Sequence, residues 1–150
     1  MGDPVYLILV VLHIACAATA FGLTLSSGPS LRRATGASRD VKVAMHAAAM
    51  RAGNLSGLFG LLTFATGLAL IFYKGGFKTV PPTIHAAMGL ILVMIAIGTF
   101  FLKPAGKKIG AAIDQGDDAW RASLKPFAMG HGIMSLLWVV ILVLMFIKPS

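Results

Sequence analysis

Four stretches of this 150-residue chain stay apolar for at least the roughly 20 residues a helix needs to cross a bilayer, and no other feature limits its fold as tightly. They run from about Val5 to Ser27, from about Ala52 to Tyr73 with a helical lead-in from Val41, from about Pro82 to Leu102, and from about Pro126 to Ile147. Within lipid a segment must satisfy its own backbone hydrogen bonds, which leaves helices or closed barrels. The alternating pattern of barrel strands is absent. The sequence therefore predicts an all-α fold, an integral membrane four-helix bundle occupying residues 1–150 as a single domain, with no convincing internal repeat and no segment of low complexity. Composition points the same way. Charged residues are 12% and apolar residues 57% of the chain, against about 25% charged in an ordinary soluble domain. That few charges cannot cover the surface of a water-soluble globule. The single Cys16 excludes an intrachain disulfide framework, and its place inside a span keeps the thiol inert as a nucleophile.

The first span differs from a cleaved leader. Asp3 is the only charge before it, the apolar run is too long, and Arg32 and Arg33 follow as a stop. The net charge of +8 would suggest nucleic acid in a soluble protein, but here it follows from topology, and no nucleic-acid partner is expected. Arg32, Arg33, Arg39 and Lys42 fill the first loop, and Lys103, Lys107, Lys108, Arg121 and Lys125 the third. The second loop holds only Lys74 and Lys78, and the termini only Lys148. Positive loops stay on the cytoplasmic side. Both termini are thus expected on the outer, periplasmic side of a bacterial inner membrane.

Local residues suggest the boundaries. Gly28-Pro29 is expected to end the first helix and Lys103-Pro104 the third. Asp40 is expected to cap a helix starting at Val41. Gly75-Gly76 should end the second, and Pro81-Pro82 should open the third. Residues 105–113 read as a surface helix with Ile109 and Ile113 toward lipid. Asp117 or Asp118 is expected to cap a short helix through Trp120 that leads into the fourth span.

Each span or its lead-in carries one histidine: His13, His46, His85 and His131. Ionisable side chains at membrane depth mark functional sites, and imidazole suits haem iron, copper and zinc. A lone intramembrane histidine is readily a helix-to-helix hydrogen bond; one in every helix favours a ligand role for at least two. His13 and His85 lie roughly 12 and 5 Å from the outer ends of their helices at helical rise, a gap that tilt and stagger can close, which makes them the better supported pair. His131 and His46 would pair only with an axial shift or a kink. Small residues follow the histidines at helical spacing: His46, Ala49, Gly53, Gly57, Gly60, Phe64 and Gly67 on the second helix, and His13, Ala17, Ala20 and Thr24 on the first. Such a stripe serves close helix packing or makes room for a flat macrocycle beside its ligand. Arg51, near the inner end of the second helix, could meet a haem propionate or a lipid phosphate. No carboxylate lies inside a span, which disfavours a proton pump built on one.

Three stretches carry a family resemblance: residues 7–14 with His13, Ile84-His85, and Val140 to Pro149. The chain resembles the bacterial protoporphyrinogen oxidases of the HemJ kind and, more loosely, the membrane domain of CopD-type copper-resistance proteins. The resemblance implies haem b inside a four-helix bundle, with the family's first-helix histidine falling on His13. The oxidase family has a lysine two positions after its third-helix histidine, where this chain has Ala87. That departure counts against protoporphyrinogen oxidation and leaves haem binding untouched.

The leading expectation is a membrane b-type cytochrome holding one or two haems through these histidines. It would transfer electrons with quinone or as a small subunit of a larger redox complex or homo-oligomer. Copper is the alternative: Met45-His46, His85-x-x-Met88 and Met129-x-His131-x-x-Met134 place thioethers beside imidazoles, a set suited to Cu(I). Methionine also fills gaps between helices. A porphyrin-oxidising enzyme and a purely structural subunit follow.

Overall fold

A computed structural model describes residues 3–116 and 120–147, and those residues are helical throughout apart from short connections. The helices are α1 (Pro4–Arg33), α2 (Arg39–Tyr73), α3 (Pro82–Ala96), α4 (Lys103–Asp114) and α5 (Trp120–Phe146). A π-helical turn, Ile97–Leu102, joins α3 to α4, so helix runs unbroken over the 33 residues Pro82–Asp114. With α1, α2 and α5 this makes four helices long and apolar enough to cross a membrane. At about 1.5 Å per residue each exceeds a hydrocarbon core of about 30 Å.

Local chemistry accounts for the ends. Asp3 accepts the Val5 N–H at 2.9 Å, with Pro4 in the first turn where no N–H is needed. The Tyr73 hydroxyl donates to the other Asp3 oxygen, and the Tyr6 and Tyr73 rings lie 5.8 Å apart. The start of α1 is thereby tied to the end of α2. Gly75 and Gly76, at φ of 99° and 94°, stop α2 as expected, because an L side chain is strained there. Pro82 opens α3, also as expected.

Other boundaries differ. Pro29 lies inside α1, which continues to Arg33, and Pro126 lies inside α5, which is one helix from Trp120. Each proline loses only one backbone hydrogen bond near a helix end, and packed neighbours offset that loss. Pro104 does not end α3 either. The π turn immediately before it re-registers the carbonyls that the ring would otherwise strike. Helix α2 begins at Arg39, two residues earlier than expected; Ser38 takes the cap position and Asp40 falls in the first turn. Ile109 and Ile113 face protein instead of lipid. They are buried with Leu31, Ala49, Trp120 and Phe127 in the core at the loop end of the bundle. The expected cap at Asp117 or Asp118, and Lys148 and Pro149, lie outside the described residues.

The connection between α1 and α2 is short and makes them antiparallel neighbours. Helix α1 packs on α2 and α5, and α3 packs on α5, whereas α2 and α3 meet only lightly. The order around the bundle is α2, α1, α5, α3, with α1 diagonal to α3 and an open seam between α3 and α2. A second core of Ala20, Ala87, Ile91, Met94, Trp138 and Ile141 fills the middle. The arginines and lysines of the first and third loops share one end of the molecule, here the basic end. Apolar side chains such as Leu7, Ile8, Phe100 and Leu136 face outward, as lipid contact requires.

Candidate functional site

The inward stripes position the polar groups. On α1, Ala20 and Thr24 are buried and Ala17 is partly so, below His13 on the same line. The Thr24 and Ser56 hydroxyls lie 2.7 Å apart and both turn to the Ala20 carbonyl, which ties α1 to α2 at mid-depth. On α2 the stripe splits by level. A Cβ at Gly67 would come 3.1 Å from Cε1 of His13, so glycine there lets the imidazole lie on the helix backbone. A Cβ at Gly53, Gly57 or Gly60 would meet nothing within 4 Å. These three glycines are therefore not helix-packing residues; they form the wall of a cleft.

The cleft occupies about 540 Å³ in the seam between α2 and α3, toward the basic end. Its second wall is the lower part of α3 and the π turn, including Met94, Gly98 and Thr99, with Lys103 beyond them. Its floor is α5, through Phe127, His131, Met134 and Trp138. π-Helical turns occur frequently at functional sites, and this one borders the cleft. Of the four histidines only His131 lines the cleft.

Each imidazole has a hydrogen-bond partner, a hydroxyl for His13 and His131 and a backbone carbonyl for His46 and His85. The Thr66 hydroxyl lies 3.0 Å from Nδ1 of His13 and within hydrogen-bond distance of the Leu62 and Thr63 carbonyls, at 2.8 and 3.1 Å. The Ser27 hydroxyl lies 3.0 Å from both the Thr24 carbonyl and Nδ1 of His131. His85 donates from Nδ1 to the Pro81 carbonyl at 3.3 Å. In all three rings the contact is made by Nδ1. His46 is the reverse: its Nε2–H goes to the Gly106 carbonyl at 2.8 Å, and its ring presses on Gly110, where a Cβ would meet Cε1 at 2.6 Å. That contact clamps α2 to α4.

Helical rise converts these contacts into depths. Ser27 marks the level of His131, and His13 lies 14 residues earlier on α1, about 21 Å away. Through the Thr24–Ser56 contact, His46 falls about 10 Å beyond His131 toward the basic end. Gly130 abuts Leu102, and His85, 17 residues before Leu102, sits about 25 Å from that level, within about 5 Å of the depth of His13. The structure thus brings His13 and His85 to one level on diagonal helices and separates His131 from His46. His85 is exposed at the end of α3, its ring 5.8 Å from Phe77. Met129 is 59% exposed while His131 is buried, so these two do not share a face. Arg51 is exposed and outside the cleft lining, although its neighbour Met50 belongs to it. No group of three or more His, Cys, Asp or Glu side chains able to hold a metal occurs among the described residues.

Sequence reasoning did not single out Trp138, Ser27 or Thr66. Trp138 carried a readable signal, since tryptophan in a span belongs near the interface and this one lies midway along the fourth. The two hydroxyl partners became visible only once the helices were paired. Comparison with family models, with curated proteins and with solved structures finds no match to this chain.

Proposed function

We propose that the protein is a membrane b-type cytochrome that binds haem through intramembrane histidines and passes electrons to or from a quinone or a larger redox complex. One observation carries the reading. His13 and His85 stand within about 5 Å of one depth on diagonal helices, with Nδ1 of His13 3.0 Å from the Thr66 hydroxyl and Nδ1 of His85 3.3 Å from the Pro81 carbonyl. A ligand histidine characteristically donates its other ring N–H to a fixed acceptor, and an iron held from both faces needs two such rings at one level. Neither His131, with no second imidazole on its cleft, nor His46, whose Nε2–H is taken by Gly106, meets that condition. Gly67 lets the His13 imidazole lie on α2, while Ala20 and Ala87 are packed in the second core. Bound there, haem would supply one-electron redox chemistry, while Thr66 and Pro81 would hold the two rings in their tautomers and tune the ligand strength. In this reading both termini face the periplasm, and the basic end, with Arg51, faces the cytoplasm.

The test is a pyridine haemochrome assay with iron per chain on purified protein. Wild type should carry pigment. His13→Ala and His85→Ala should each lose it or shift its bands strongly, and His46→Ala should keep it. A colourless, iron-free wild type removes the proposal. Copper without iron in the same metal analysis would instead support the thioether–imidazole alternative.

A further inference from the structure

The geometry points to a second ligand site: the cleft between α2 and α3 binds the dioxygenated ring of a lipid-soluble para-hydroquinone, held between His131 and Trp138. Two observations of different kinds meet there. The first is a lone pair. Ser27 lies 3.0 Å from both Nδ1 of His131 and the Thr24 carbonyl; with its proton on that carbonyl, Nε2 of His131 is an acceptor, and His131 lines the cleft. The second is an orphan donor. Trp138 is 3% exposed, also lines the cleft, and its indole N–H has no hydrogen-bond partner. A buried N–H without an acceptor is costly, and a ligand oxygen would satisfy it.

Spacing selects the ligand. Trp138 follows His131 by seven residues, so both leave the same face of α5 about 10 Å apart. A para-dioxygenated six-membered ring has its oxygens about 5 Å apart, and a hydrogen bond of about 2.8 Å at each end extends the reach to about 11 Å. One hydroxyl would donate to Nε2 of His131 and the opposite oxygen would accept from Trp138. The ring is flat, as the wall of Gly53, Gly57 and Gly60 requires, since no side chain projects from it. The open seam between α2 and α3 gives an apolar tail its route from the bilayer. A haem iron could take the lone pair of His131, but it offers nothing to the indole N–H. The site rests on the cytochrome reading only for the fate of the electrons; binding is independent of it.

The experiment measures binding of a decyl-substituted benzoquinol, and of its dimethyl ether, to full-length protein in nanodiscs by equilibrium dialysis, with haem content read on the same samples. Wild type should bind the quinol, and the ether, which cannot donate to His131, roughly tenfold more weakly. Trp138→Phe should weaken the quinol roughly three- to tenfold. Gly57→Leu, which adds bulk only into open space, should abolish binding. Haem content should be unchanged in both variants. Equal binding of quinol and ether, or wild-type quinol binding by both variants, overturns the proposal. So does loss of pigment in Gly57→Leu, which would put the macrocycle in the cleft. A colourless protein that binds quinol with this pattern would overturn the cytochrome reading and leave the site standing.

Discussion

Gly53 and Gly110 sit in helices of the same protein and do opposite work. At Gly110 a Cβ would meet the His46 ring at 2.6 Å, and that ring is held by its bond to the Gly106 carbonyl. It cannot retreat without giving up a half-buried hydrogen bond. At Gly53 a Cβ meets nothing. Gly110→Ala should therefore destabilise by about 1–3 kcal/mol through overpacking. Gly53→Ala should be neutral or stabilising by up to about 1 kcal/mol, because alanine is the better helix former. Thermal unfolding of the two variants in one detergent checks the contrast, and equal effects would mean that the two glycines share an environment. The same logic separates the histidines. His46 is consumed by helix packing, whereas His131 lines the cleft.

Among the elements, α4 shows best what a sequence carries and what it withholds. Its period places Gly106, Ile109 and Ile113 on one face and Lys107 and Lys108 elsewhere, and that amphipathic pattern is plain in the residues. Whether lipid or protein covers the apolar face is not, because both coverings are equally apolar. Ile109 is 0% exposed against the core around Trp120 and Phe127. Ile109→Ala should then cost about 2–4 kcal/mol, the range for a buried aliphatic truncation. A helix lying on the membrane surface would lose far less. Loss of thermal stability without loss of expression in the membrane is the expected result. The four spans and the glycine turn at residues 75–76 were legible for a related reason: length, hydropathy and positive φ are local properties. The prolines at 29, 104 and 126 misled because their cost depends on what surrounds the helix, and a π turn or a packed neighbour offsets it. The cleft was only half legible. The glycine stripe could be counted, but which glycines meet a helix and which meet open space depends on the pairing of α2 with α1 rather than α3.

For the whole molecule, the order α2, α1, α5, α3 sets the His13–His85 level, at the end where the chain begins, about 21 Å from His131, with His46 about 10 Å further toward the basic end. A redox carrier gains from this only if the molecule has a fixed orientation, since electrons then have a side to enter and a side to leave. The loops supply that bias. The first and third carry the arginines and lysines, while the second has only Lys74 and Lys78. Lys74 lies 5.2 Å from the Tyr6 ring, so part of that small charge is already engaged by an aromatic. Cys16 is buried, so cysteines introduced in the loops can be read against a silent background. Lys78→Cys in whole cells should react with a membrane-impermeant maleimide. Ala37→Cys, between Arg33 and Arg39, should react only after the membrane is opened. The reverse pattern would turn the protein over in the bilayer and move the His13–His85 level to the cytoplasmic side. Labelling of both sites in intact cells would mean dual insertion, and a carrier inserted both ways cannot move charge in one direction.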